Sequence, residues 1–317
     1  MARSSPPVSR RDFVASSATV ALTTATAASV SGAAGAAASV ERIEPTGRTS
    51  APPPEYRIEH GRIRHSVMGW CFNPLPNPDL ITACHRMGMT AVEGIDASHY
   101  PQLRELGMKP SLVGSHGFKE GPANRAYHAR CLKELREGID RAVEFGAPGV
   151  ITFTGMRERD LSDAVMEQNC LDCWKEVVGY AEQKGINLCL EHLNSRDSSH
   201  PMKGHPGYFG DDVNRCVRLI ERIGSPRFRL LFDIYHVQIM HGDVIRHLRT
   251  HRDVIGHIHT AGVPGRGELD ETQELNYPAI MRAILDLGYT GYVAHEFIPT
   301  WPDKLAALRH GVRVCDV

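Results

Sequence analysis

Residues 228–267 read FRLLFDIYHVQIMHGDVIRHLRTHRDVIGHIHTAGVPGRG. Two short apolar runs in this stretch, 228–232 and 254–258, end at Asp233 and His259. The segment between them, roughly residues 238–251, repeats apolar residues at helical spacing, so the pattern predicts strand, helix, strand. Parallel strands joined through helices place their C-terminal ends on one side of a sheet, where ligands bind. Two metal-capable side chains therefore face a common space.

The neighbouring strands end in the same way. The apolar run 186–190 stops at Glu191, and the run 292–294 stops, through His295, at Glu296. Four consecutive strands thus end in residues of metal-ligand type. The residues two positions earlier share the inward face of each strand, and they are Cys189, Leu231, His257 and Ala294. A polar residue after a strand usually just begins a solvated loop, but four in phase favour a metal site.

Strands and helices alternate from His65 to the C-terminus, and the pattern predicts eight βα units over residues 61–317. Eight units in about 250 residues are typical of an α/β protein with a closed (β/α)8 TIM barrel. The alternative is an open doubly wound sheet, which normally carries a glycine-rich phosphate turn after its first strand. The sequence GWCF at 69–72 is not such a turn.

Composition excludes several classes of protein. The chain has 317 residues, of which 42% are hydrophobic, and this fraction is enough to form a buried core. Its net charge of -1 provides no positive electrostatic field that would attract nucleic acid or an acidic membrane. The eight cysteines show no disulfide spacing, and structural thiols are the favoured interpretation.

The first 38 residues have a different character from the rest. Arg10-Arg11 precedes Phe13 and a mildly apolar run that ends in AAA at 36–38, which is typical of a twin-arginine export signal. The alternative is a disordered Ala-rich tail with an accidental arginine pair. We expect a signal at 1–38, a proline-rich linker at 39–60 and a periplasmic or extracellular protein without a stable membrane anchor.

Several motifs resemble one enzyme family. LEHLNSR (190–196), HPGYF (205–209), GSPRFRLLFDIYHVQIMHGDVIR (224–246), IGHIHTAGVPGRGELDETQELNYPAI (255–280) and GYVAHEF (291–297) closely resemble the hydroxypyruvate isomerase family of xylose-isomerase-like barrels. That group includes tagatose and psicose 3-epimerases and inosose dehydratases. The resemblance implies a TIM barrel with one divalent metal held by Glu191, Asp233, His259 and Glu296.

The resemblance also implies roles for single residues. Glu191 and Glu296 would act as proton donor and acceptor, and His236 and Arg266 would bind substrate oxygens. The sequence departs from the family pattern at two positions, so the resemblance does not identify the substrate. His192 stands where isomerases of this family commonly have Pro. His259 stands where those isomerases often have Gln, and a histidine at this position matches the epimerases of the superfamily.

The chemistry follows from general principles as well. The transfer of hydrogen between adjacent carbons of a hydroxy-carbonyl compound passes through an enediolate, and a divalent ion stabilises this intermediate as a Lewis acid. A general base removes the proton from one carbon, and a general acid returns it to the other. Three carboxylates and an imidazole suit manganese, magnesium or cobalt; zinc is an alternative. The expected partner is a small sugar or hydroxy-keto acid, and superfamily members often form homo-oligomers.

Other functions remain open at this stage. The same enolate chemistry serves an inosose-type dehydratase, a lyase. DNA-repair endonucleases share the barrel, but they use several metals and basic surfaces, whereas this chain has a single ligand set and a net charge near zero. The last alternative is an exported barrel that binds a sugar without catalysis.

Several further side chains were weighed for the same site. Glu93 is expected to support a ligand, His257 to be a hydrogen-bonded core residue, and Trp70 and Phe72 to form an apolar wall. Three loop histidines cannot be ranked from the sequence; they are His116, His192 and His205.

Overall fold

The computed structural model describes residues 56–317, so the predicted signal at 1–38 and most of the predicted linker at 39–60 lie outside the described residues. Within this range the chain alternates short parallel strands with helices. The strands are β1 Arg64–Val67, β2 Ala91–Val92, β3 Lys109–Pro110, β4 Gly149–Thr152, β5 Asn187–Glu191, β6 Phe228–Asp233, β7 Ile255–Thr260 and β8 Tyr292–His295.

The strands close into a ring. β1, β8, β7, β6, β5 and β4 pair in that order, and β2 pairs with β3. Parallel bridges from Met68 to Glu93 and from Val113 to Val150 join the two groups. The predicted (β/α)8 barrel is therefore confirmed, and its second and third strands have only two residues each.

Helices surround the ring. They are α1 Asn77–Met87, α2 Tyr100–Glu105, α3 His128–Phe145, α4 Asp163–Lys184, α5 Val213–Ile223, α6 Ile234–Met240, α7 Val244–His251, α8 Tyr277–Asp286 and α9 Lys304–Cys315. The prediction of one helix over roughly 238–251 is wrong. Gly242 and Asp243 adopt φ values of 69° and 49°, which an α-helix does not accommodate, so the chain turns between α6 and α7. Among the described residues, no helix has the length and apolar character needed to cross a membrane.

The barrel interior is filled by inward-facing side chains. Leu112, Cys189 and Leu231 form a small buried cluster against Ile151, which confirms the inward phase expected for Cys189 and Leu231. The larger core lies between the strands and the helices. All eight cysteines are buried free thiols, in agreement with a structural role.

The C-terminus holds the segment that leads into β1. One carboxylate, that of Asp316, accepts hydrogen bonds from the Tyr56 hydroxyl and from the backbone N–H groups of Glu59, His60 and Gly61. Burial would raise the pKa of Asp316, but these donors outweigh it and lower the pKa below its ordinary value. The carboxylate therefore stabilises the fold as an anion.

Replacing Asp316 with Asn should destabilise the protein by about 1–3 kcal/mol at pH 7, because hydrogen bonds to a charged acceptor are lost. The folded-state pKa is depressed, so this stabilisation is complete above the unfolded pKa of about 3.9 and disappears as the pH falls through the folded value. Urea unfolding of both proteins at pH 7 and at lower pH measures this. A difference that does not shrink in acid would contradict an ionic role for Asp316.

Candidate metal centre and substrate cavity

The four side chains predicted to bind a metal lie together at the C-terminal ends of β5 to β8. Glu191, Asp233, His259 and Glu296 each offer one ligand atom, and these atoms all lie within 4.8 Å of one another. His259 Nδ1 is 2.6 Å from Glu296 Oε2, 3.3 Å from Glu191 Oε1 and 4.0 Å from Asp233 Oδ2. All four side chains are buried. The structure thus brings the complete predicted set together.

Strand pairing explains this convergence. Asp233 lies beside His259 in the β6–β7 ladder, and His259 lies beside Ala294 in the β7–β8 ladder. Glu191, by contrast, lies beside Leu231, two residues before Asp233. Glu191 and Glu296 therefore approach the centre from the two flanking strands, with Asp233 and His259 between them.

Glu93 orients the histidine. His259 Nε2 lies 2.7 Å from Glu93 Oε1, and this hydrogen bond leaves Nδ1 pointing at the three carboxylates. The other oxygen of Glu93 is 2.8 Å from His257 Nε2 and accepts a hydrogen bond from Ser111. Burial would raise the pKa of Glu93, but His257 and His259 outweigh it and hold the pKa below its ordinary value. Glu93 is therefore an anion that can fix the tautomer of His259, as expected of a supporting residue.

Charge in this centre is unevenly distributed. Burial, with the charge of Glu296, raises the pKa of Glu191 to about 7 and that of Asp233 to about 6. Burial would also raise the pKa of Glu296, but Arg266 and His259 outweigh it and lower the pKa to about 2. Two of the three carboxylates thus resist ionisation for lack of positive charge.

These residues fit a divalent cation. Among the described residues, Glu191 Oε1, Glu296 Oε2 and His259 Nδ1 are buried atoms that converge on one space and make no well-directed hydrogen bond, although Glu296 Oε2 is ion-paired with Arg266. A bound divalent ion would supply positive charge next to Glu191 and Asp233, the two carboxylates whose pKa is raised, and would favour their ionised form. The second group of metal-ligand type, Glu93 with His257 and His259, is already held together at hydrogen-bond distances.

His236 presents a hydrogen-bond donor to the same space. The backbone N–H of Asn194 donates to His236 Nδ1, so the proton of the neutral ring is on Nε2. Burial lowers the pKa of His236 well below its ordinary value, which keeps the ring neutral. Nε2 is buried without a hydrogen-bond partner in the described chain and lies 3.7 Å from Asp233 Oδ2. Asp233 caps the N-terminus of α6, since its Oδ1 accepts a hydrogen bond from the backbone N–H of His236.

Arg266 lies inside the site and is only 2% exposed. Its guanidinium lies between the rings of Trp70 and Tyr235, 5.5 and 5.4 Å from their centroids. Nη2 is 2.8 Å from Glu296 Oε2 and 3.7 Å from Asp233 Oδ2. The residue adopts a left-handed φ of 57° between two glycines, a conformation that turns its side chain back over the barrel. Arg266 is therefore a buried residue of the site and not a surface arginine.

A cavity of about 180 Å³ opens beside these groups. Its polar residues are Glu93, Glu191, His205, Arg266 and Glu296. Its apolar wall includes Met68, Trp70, Val113, Phe118, Phe153, Leu193 and Met202. The prediction of an apolar wall is correct for Trp70, whereas Phe72 packs behind it against Phe297 and does not line the cavity.

The structure separates the three loop histidines that the sequence could not rank. His205 lines the cavity, with its ring 4.2 Å from that of Phe118. His116 instead bonds to Thr152 through Nε2, and His192 is buried near Phe232 without lining the cavity. His205 is thus the one of the three placed to meet a substrate, and only the fold of its loop reveals this.

Known proteins with a similar sequence now identify the family. Residues 81–316 match the family described as xylose isomerase-like TIM barrel. The chain belongs to this family. A human protein provisionally named hydroxypyruvate isomerase is 31% identical over 256 residues, which cover 73% of this chain and 88% of the relative.

Two further comparisons extend this result. A 2-oxo-tetronate isomerase of Cupriavidus necator is 31% identical over 191 residues, covering 59% of this chain and 68% of the relative. The structure of 3-keto-D-glucoside 4-epimerase from E. coli shares the fold, with a TM-score of 0.67 and 18% identity over 80% of this chain and 100% of that one. This xylose isomerase-like barrel is an enzyme of the isomerase class.

Proposed function

We propose that this barrel is a divalent-metal-dependent isomerase or epimerase of a small hydroxy-carbonyl or sugar substrate, similar to hydroxypyruvate isomerase. The observation that carries the proposal is the convergence of buried ligand atoms of Glu191, Asp233, His259 and Glu296 beside the hydrogen-bond donors His236 and Arg266. The names of the relatives, a hydroxypyruvate isomerase and a 2-oxo-tetronate isomerase, support a short hydroxy-keto acid as substrate.

Glu191 and Glu296 are proposed to move the proton. Burial raises the pKa of Glu191 above its ordinary value, so this carboxyl holds a proton more readily than an exposed glutamate does, which favours an acid–base role. Glu296, kept ionised by Arg266, can accept one. Because the two carboxylates flank the centre from β5 and β8, they can reach different faces of the reacting carbon atoms. Pairs of carboxylates whose pKa values are pushed apart are a common basis for acid–base roles.

Glu191, Asp233, His259 and Glu296 are proposed to hold the metal, with manganese, magnesium or cobalt favoured by the oxygen-rich set and zinc as an alternative. When bound, a divalent ion would supply Lewis acidity to the substrate oxygens. Arg266 and His236 would donate hydrogen bonds to those oxygens, and Trp70 with Phe118 and Phe153 would exclude water from the enediolate.

Solvent deuterium tests the proposed function. The purified full-length protein is incubated in deuterated water with manganese and with hydroxypyruvate, 2-oxo-tetronate, ketoses or inosose in turn. Deuterium should enter a carbon of one substrate while its elemental composition is retained. Loss of water with a deoxy-diketone product would instead identify the inosose-type dehydratase, and absence of exchange with every substrate would contradict the proposal.

Replacing Arg266 with Lys should lower kcat/KM by about 10- to 100-fold, because a lysine cannot keep the fork of donors between Glu296, the substrate and the two aromatic rings. Steady-state kinetics measure this, with the exposed Arg249→Lys variant as the matched control. An unchanged kcat/KM in the Arg266 variant would remove Arg266 from the substrate site.

We further propose that residues 1–38 direct export by the twin-arginine route. The arginine pair Arg10-Arg11 and the alanines at 36–38 support this proposal. Fractionation of cells that express the full chain should find the protein outside the cytoplasm. Replacement of both arginines by Lys should retain it inside, and an unchanged distribution would contradict the proposal.

A further inference from the structure

A second, larger cavity lies at the opposite end of the barrel. Its volume is about 500 Å³, compared with about 180 Å³ for the cavity beside Glu191. It is bounded by residues at or just before the N-terminal ends of strands, including Pro148, Asn187, Arg227, Ile255 and Tyr292. The proposed chemistry takes place at the C-terminal ends, so this cavity is remote from it and has no part in the function proposed above.

Four arginines line this cavity: Arg64, Arg227, Arg229 and Arg252. No aspartate or glutamate is among its lining residues in the described chain. Arg252 has a neighbouring carboxylate, that of Asp253 at 3.4 Å, and both of these side chains are largely exposed. The other three arginines have no ion pair with any described residue at 4.0 Å or less. The cavity therefore carries several positive charges that the protein does not compensate locally.

Neutral acceptors hold these three arginines in place. Arg64 donates to the Tyr292 hydroxyl at 2.6 Å and to the carbonyl of Thr290 at 3.2 Å. Its guanidinium also lies 4.1 Å from the centroid of the Tyr292 ring. An arginine ordered in this way keeps further N–H groups for a ligand and loses little conformational entropy when it binds one.

The two arginines of the β6 segment are anchored similarly. Arg227 Nη1 donates to the side-chain oxygen of Asn187 at 3.2 Å, and Arg229 Nη2 donates to the carbonyl of Ile255 at 3.2 Å. Both residues are half-buried. Gly256 allows Arg229 to lie close, because a Cβ atom at that position would be only 2.6 Å from Arg229 Cβ. Neutral anchors fix the guanidinium groups without neutralising them.

We propose that this cavity binds a phosphate group, either as the free ion or as the phosphate ester of a small metabolite. Guanidinium groups match phosphate oxygens with paired hydrogen bonds, and a phosphate carries enough negative charge to offset more than one arginine. The apolar part of the lining, with Leu248, Ile258 and Ile284, offers a surface for the organic part of an ester. Such a site is separate from the substrate cavity, and its occupancy does not depend on the proposed isomerase chemistry.

Isothermal titration of the full-length protein tests this site. Inorganic phosphate and glycerol 3-phosphate are titrated separately, with sodium chloride at matched ionic strength as the reference. Thermal unfolding is followed in the same solutions, since a ligand that binds the folded state raises Tm. Tighter binding of the ester would identify a phosphorylated metabolite as the source of the phosphate, and tighter binding of the free ion would identify inorganic phosphate; either supports the proposal.

Variants locate the binding. Arg229→Gln and, separately, Arg227→Gln should weaken phosphate binding by about tenfold or more, because each removes a charged donor. Arg249→Gln makes the same charge change on the exposed face of α7 outside the cavity and should bind phosphate normally. Arg266→Gln should also bind normally, which separates this cavity from the substrate cavity.

Three results would overturn the proposal. The first is a Tm that phosphate raises no more than chloride does at equal ionic strength. The second is binding of phosphate by the arginine variants with the affinity of the unmodified protein. The third is loss of binding in Arg266→Gln alone, which would place the phosphate in the substrate cavity. If Arg229→Gln fails to fold, Arg227→Gln and Arg64→Gln decide the question.

Discussion

Replacing Glu191 with Gln is expected to lower kcat by about 10²- to 10⁴-fold, the range typical for loss of a positioned acid–base group. Gln has nearly the same shape and keeps an oxygen that can face a cation, so the change mainly removes proton transfer. The physical basis is the position of the Glu191 carboxyl, which is buried at the end of β5 beside the other ligand atoms, and the burial that raises its pKa above the ordinary value.

Three measurements decide the meaning of that result. Turnover and deuterium incorporation should fall together, while isothermal titration with manganese should still detect a site. Glu105→Gln, on the exposed side of α2, is the matched control and should behave like the unmodified enzyme. If Glu191→Gln retains full turnover, Glu191 is not the proton carrier. If neither protein exchanges deuterium while both bind sugar, the barrel is a binding protein and not a catalyst.

Replacing Glu93 with Gln is expected to weaken metal binding by about 10- to 100-fold, although Glu93 is not one of the four proposed ligands. The Glu93 carboxylate lies 2.7 Å from His259 Nε2 and can hold a proton on that nitrogen, so that the lone pair of Nδ1 would be available to a metal. A neutral amide is a weaker acceptor and can also donate, so the ring would lose both its fixed tautomer and part of its basicity. Supporting groups of this kind typically contribute that amount to metal affinity.

Titration calorimetry with manganese measures the affinity directly, and circular dichroism verifies that the variant is folded. Ser111→Ala is a useful comparison, because Ser111 donates to the other side of the same carboxylate and does not touch His259. Its effect on affinity should therefore be smaller. An affinity for manganese that is unchanged in Glu93→Gln would show that Glu93 serves only the packing of the barrel interior.

The four proposed ligands could be predicted from the sequence because they depend on a local rule. Each follows an apolar run, and consecutive parallel strands point their ends to one side, so Glu191, Asp233, His259 and Glu296 were expected near each other. The structure confirms that the atoms are close, within 4.8 Å. The motif resemblance also predicts that His236 and Arg266 bind substrate, and the structure places both side chains beside the four proposed ligands.

Other features depend on contacts between segments distant in the chain, which local patterns do not encode. Glu93 meets His259 from 166 residues away. The break between α6 and α7 was missed because the apolar spacing continues across Gly242 and Asp243, while the backbone φ values do not. His205 and His116 looked equivalent in sequence, yet loop packing places only His205 in the cavity.

The βα alternation, and with it the four strand ends that carry metal-ligand side chains, can be predicted from the sequence because strand and helix periodicities are local properties of the chain. Long-range packing sets which nitrogen of His259 faces the carboxylates, which of the loop histidines lines the cavity and where arginines without an ion pair lie together. These features arise when ring closure brings side chains from separate βα units within hydrogen-bond distance, and no periodicity along the chain reports that distance.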